Sequence, residues 1–140
     1  MSEFIKIEDY DASIHREILD ALVRDDGSVI EICEDRAVEE MRSYLSCRYD
    51  CDAVFSASGD KRNALVLMMS IDIAVYHIFC LANPLKLSQM REKRYGRACE
   101  WLKQVAAGGI SVDIPKLPDD IQQKHSQFVM ISNNKRQNRF

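Results

Sequence analysis

Apolar side chains recur along this chain in four runs at the three-and-four spacing that gathers them on one side of an α-helix. After a short apolar lead of Phe4, Ile5 and Ile7, the first run is Ile14, Ile18, Leu19 and Leu22, and Asp25-Asp26-Gly27 ends it. The second opens at Ser28, where Ser28 and Glu31 have capping-box spacing: the hydroxyl can accept from the Glu31 amide while the carboxylate accepts from the Ser28 amide. Ile30, Cys33, Ala37, Met41, Tyr44 and Leu45 then hold one stripe for about 20 residues, roughly 30 Å of helix. Tyr49 to Gly59 reads as a connector with one apolar cluster, Ala53-Val54-Phe55, and Asp60 is placed to cap the helix that follows.

The third run differs in kind. Between Leu65 and Ala82 only Ser70, Asp72 and His77 interrupt an otherwise apolar helix, and Asn83-Pro84 stops it. A helix that is apolar all round belongs at the centre of a bundle, covered on several sides. A membrane span is set aside, because the run is near the lower length limit, carries Asp72 and His77, and lacks the expected Lys or Arg flanks. Ser88 caps the fourth helix, whose inner face is Tyr95, Ala98, Cys99, Leu102, Val105 and Ala106, and Gly108-Gly109 supplies its left-handed exit. The period then changes to two: Ile110, Val112 and Ile114 alternate with Ser111 and Asp113 up to Pro115, which is the pattern of a short strand. Phe128-Val129-Met130-Ile131 is a second strand-like run, and residues 133–140 read as a weakly basic, disordered tail.

The pattern therefore predicts an all-α fold. A bundle of about four helices spans residues 1–109, and an extended C-terminal arm with one or two short strands spans 110–140. At 140 residues, with 46% hydrophobic and 29% charged side chains, the chain falls in the range of a single globular domain, which excludes wholesale disorder and fibrous repeats. A lone strand leaves backbone groups unpaired, so the arm is expected to dock on a neighbouring copy or a partner and to be mobile in a free monomer.

Charge adds a division that the net value of −3 hides. Residues 1–60 hold 16 acidic and 6 basic side chains, while residues 61–140 hold 6 acidic and 13 basic ones. Either the halves pair within one subunit, or an acidic face of one copy meets a basic face of the next. The basic side chains concentrate on the fourth helix, with Arg91, Arg94 and Arg97 at three-residue steps and Lys93 and Lys103 beside them. Such a row is a solvated face, a subunit contact or a track for phosphates, and no aromatic residues interleave to stack bases.

Candidate chemistry is sparse. No Gly-rich phosphate loop, serine elbow or His-Glu-x-x-His is present, and no signal peptide is read. Five cysteines, Cys33, Cys47, Cys51, Cys80 and Cys99, are therefore expected as free thiols in a reducing compartment. Cys47, Cys51, His77 and Cys80 have the residue types of a zinc set, but His77 and Cys80 lie within an apolar helix and read more simply as core. No catalytic residue, cofactor or metal is expected. Asp72 is costly to bury alone and needs a cation; Arg48, just past the second helix, is the expected partner in a structural ion pair.

One series of residues resembles a known family. Ser43-Tyr44-Leu45, Arg48-Tyr49-Asp50, Asp72-Ile73-Ala74-Val75-Tyr76-His77, Arg91-x2-Arg94-Tyr95-x2-Ala98-x2-Trp101-Leu102, and Gly109-Ile110 ahead of Pro115 follow in an order similar to that of the Mu-like tailed-phage proteins of head-tail connector type. The resemblance covers residues 4–118; the polar extension after Pro118 departs from it. It implies a helical adaptor without catalytic residues that assembles in the host cytoplasm as a ring homo-oligomer. In the virion the ring lies at the head-tail junction, between the portal protein and tail-side neck proteins. Candidate subunit-contact residues are Arg91, Arg94, Arg97, Ile110, Val112, Ile114 and Phe128. A small phage DNA-binding module for packaging or regulation is the competing class; in the connector reading, DNA contact is non-specific at most.

Overall fold

A computed structural model describes residues 4–24 and 26–118. Five α-helices follow in order: α1 Arg16–Val23, α2 Gly27–Leu45, α3 Cys51–Ser56, α4 Ala64–Ala82 and α5 Gln89–Ala107, with short 3-10 turns at Ile7–Ala12, Gly59–Lys61 and Pro84–Lys86. No strand occurs among the described residues, so they form an all-α bundle; Phe128 and the second strand-like run lie outside them.

The three long helices begin and end close to where the pattern puts them, but two caps differ. Asp26, not Ser28, caps α2: its side chain accepts from the Ser28 amide and from the Ser28 hydroxyl, at 3.1 and 2.6 Å, so Ser28 lies inside the helix. Asn63, not Asp60, caps α4 by accepting from the Leu65 and Val66 amides, and Asp60 falls in a 3-10 turn. In both cases a second short polar residue stands within one turn of the expected cap, and spacing alone does not choose between them. The expected connector also contains a helix, α3, capped by Asp50, which buries Val54 and Phe55 of the apolar cluster.

α4 is the hub and packs against α1, α2 and α5. Ten of its 19 residues are buried, among them Ile71, Ile73, Val75 and Ile78. By length and composition alone α4 would suffice to cross a membrane; in this fold it is the core helix. The N-terminal lead closes over the bundle: Phe4 is buried edge-on to Phe55, and Tyr10 is buried with its hydroxyl donating to Glu34 at 3.0 Å. Asp9 and Arg62 hold that lead in place through two bonds of 2.6 and 3.2 Å, and the same guanidinium donates to the Phe4 carbonyl. Burial opposes ionisation of Asp9, but the Arg62 donors and the Lys6 amide outweigh it and keep the carboxyl below its ordinary range.

The expectation for residues 110–118 is corrected. They form no strand and dock on their own bundle. Val112 is buried in the core, with Ile110 and Ile114 packed against it. The Val112 amide donates to the Tyr49 hydroxyl, the Asp50 amide to the Pro115 carbonyl, and the Leu117 amide to the Arg48 carbonyl. Alternating hydrophobicity marks a segment with one buried side; the α2–α3 corner covers it and meets its backbone groups, so no neighbouring strand is needed there.

Candidate functional site

The basic row on α5 is where the sequence predicts a contact, and the structure divides it. Arg91 turns inward, donating to the Ser13 hydroxyl and carbonyl at 3.0 and 2.6 Å. Burial and the neighbouring Arg94 lower its pKa. Arg97 donates to Asp72 at 2.9 Å. This replaces the expected Arg48–Asp72 pair, and the reason lies in helix register: α4 and α5 run antiparallel and bring residue 97 opposite residue 72. Arg48 lies instead over Gly108, where a Cβ would collide with its guanidinium; that glycine also has a φ of +88°, so two constraints demand glycine there. Asp72 is 5% exposed and Arg97 54%, so the pair spans the boundary of the core with its cation in water.

What remains outward is a mixed surface. Met90 is 61% exposed and, with Gln89, Lys93, Arg94 and Arg97, lines a shallow hollow of about 410 Å³. Leu85, in the turn between α4 and α5, is 97% exposed. On the other side of Arg94 and Arg97 a cleft of about 560 Å³ runs between the 7–12 turn and α4. Leu67, Met68 and Ile71 line it along with the acidic groups Glu8, Asp9 and Asp72.

A second polar group, not predicted from the sequence, ties the three long helices together. Tyr95 stacks on Tyr76 with ring centres 3.9 Å apart and planes 8° from parallel. Its hydroxyl donates to Glu40 Oε1 at 3.0 Å, and His77 Nε2 stands 3.8 Å from the same oxygen. Burial lowers the His77 pKa, Glu40 opposes that, and Arg36 adds to it, so the imidazole stays below its ordinary range. Burial, the Cys99 thiol and Glu40 push the Tyr95 hydroxyl upward. The sequence carries a partial signal for this group: His77 is one of three polar interruptions in the apolar α4 run, and Tyr95 lies on the inner face of α5. Cys47 and Cys51 lie instead at the α2–α3 corner, and no three His, Cys, Asp or Glu among the described residues are grouped to hold a metal.

Fold and surface together define a class: a small helical bundle whose outward face mixes charged and apolar side chains. The sequence matches the family described as Bacteriophage Mu, Gp36 over residues 4–131, and the chain belongs to that family of phage proteins. No curated protein and no solved structure matches it.

Proposed function

We propose that the chain is a structural assembly protein of the phage particle, a head-tail connector that forms a ring between portal and tail during head completion. The observation that carries this reading is the outward surface of α5 and the turn before it, where Lys93, Met90 and Leu85 make no use of their own subunit's core. Exposed apolar side chains set among charged ones are the composition of a contact surface. The proposal assigns the chain no reaction, cofactor or metal. Immunogold labelling of purified particles tests it: label concentrated at the neck supports the reading, and particles free of the protein contradict it.

The competing reading, a small DNA-binding module, is favoured by Lys93, Arg94, Arg97 and Lys103 lying along one helix. It predicts retention of duplex that weakens steeply with salt, in a protein that stays small.

A further inference from the structure

The cleft between the 7–12 turn, α4 and α5 has an apolar floor. Ala64, Leu67, Met68 and Ile71 follow at steps of three, one and three, so they form one stripe of α4. Among the described residues nothing seals it: Ala64 is exposed, Leu67 half-buried and Met68 43% exposed. The charges along the walls are mostly occupied inside the subunit, Asp9 by Arg62 and Asp72 by Arg97, which leaves Glu8 and Arg94 as the remaining charged groups. What this hollow of about 560 Å³ offers an occupant is therefore chiefly apolar surface.

The occupant follows from where the chain goes. The Asp113 carbonyl accepts from the side chain of Asn63, the residue before Ala64, at 3.2 Å, so the chain after α5 passes the end of the stripe. The Leu117 amide then donates to the Arg48 carbonyl, which holds the last described residues against the bundle. Five residues carry the chain from Asp113 to Pro118, at most about 18 Å, and ten carry it from Pro118 to Phe128, up to about 36 Å. Phe128-Val129-Met130-Ile131 can therefore reach the stripe of its own subunit. It is the one run of four consecutive apolar residues in 119–140. The family match also extends past Pro118 and ends at residue 131, so it takes in this run and leaves out the polar residues 132–140.

We propose that Phe128–Ile131 docks on the Ala64, Leu67, Met68 and Ile71 stripe of its own subunit and closes the cleft. A short tether favours the subunit's own segment over that of a second copy, because it supplies an effective concentration on the order of millimolar. The contact needs no other copy, so it stands or falls apart from the assembly reading above.

Photo-cross-linking of the full chain tests it, with p-benzoylphenylalanine in place of Phe128 and the products mapped by mass spectrometry. The expected product is a cross-link within one 16.1 kDa chain to Leu67, Met68 or Ile71. Met68→Glu puts a charge on the floor at an exposed position; it should keep the wild-type helical spectrum and reduce that product at least tenfold. Amide hydrogen exchange over 128–131 should speed up at least tenfold in Met68→Glu, and likewise in Val129→Glu, which alters no residue of the bundle helices. A cross-link joining two chains at the same stripe would overturn docking within the subunit and make a second copy the occupant. Cross-links to another surface, none to α4, or exchange over 128–131 that neither substitution changes would overturn the site itself.

Discussion

α4 and α5 have the same length and lie against each other, yet they bury ten and four residues respectively. α4 is covered on several sides by its own subunit. α5 turns one stripe inward, Ala98, Trp101, Leu102 and Val105, and leaves the rest half-buried or outward. The difference separates two jobs: the first helix determines that the bundle folds, and the second determines what the folded bundle can meet. Mutational cost should divide the same way.

The largest effect is expected in α4. Ile73 is fully buried, and Ile73→Ala should lower the unfolding free energy by about 3 kcal/mol, through lost burial and the cavity left behind. Met90→Ala on α5 should stay within about 0.5 kcal/mol. Urea denaturation of both checks the contrast, and equal costs would break it.

Next comes a polar group fully inside. Glu34 is 6% exposed, and burial, opposed by the Tyr10 hydroxyl, pushes its pKa up to about 7. A folded-state value above the ordinary 4.5 means the native protein holds this proton more tightly than the unfolded chain. The contribution of Glu34 is then complete below about pH 4.5 and is lost as pH rises through about 7. Glu34→Gln keeps an oxygen for Tyr10 and cannot ionise. It should match wild type near pH 4 and exceed it by about 3 kcal/mol near pH 8. A constant difference across that range would contradict this.

The pair that bridges the two helices should respond unequally. Arg97→Ala strands a buried carboxylate and should cost about 1.5 kcal/mol, whereas Asp72→Ala releases a cation already half in water and should cost about 0.5 kcal/mol. The reverse order would mean the pair is not placed as described. The smallest effect has the opposite sign. Gly96→Ala should stabilise the subunit by about 0.5–1 kcal/mol, since the site is helical and open. Thermal melts resolve it.

Much of this division is legible in the sequence. The stripe on α2, the all-round apolarity of α4 and the Ser88 and Gly108 ends of α5 are local properties, and local periodicity reports them well. The Asp72 partner is not legible there, because Arg48 and Arg97 are equally plausible cations until the register between helices is known, and no single helix encodes that. The alternation over 110–114 correctly signals one buried side and wrongly suggests a strand, since period two does not say what covers it. Leu85 and Met90 carry no signal singly; their meaning comes from both staying outside. Asp25 and residues 119–140, with Phe128, lie beyond the described residues.

If the outward charge and apolar surface serve contact with other copies of this chain, particle mass must depend on both concentration and salt. Native mass measured against concentration, at low and high salt, is the most direct test. The predicted result is a species many times the 16.1 kDa chain that grows with concentration and recedes as salt screens the outward charges. A constant 16.1 kDa under every condition would contradict it.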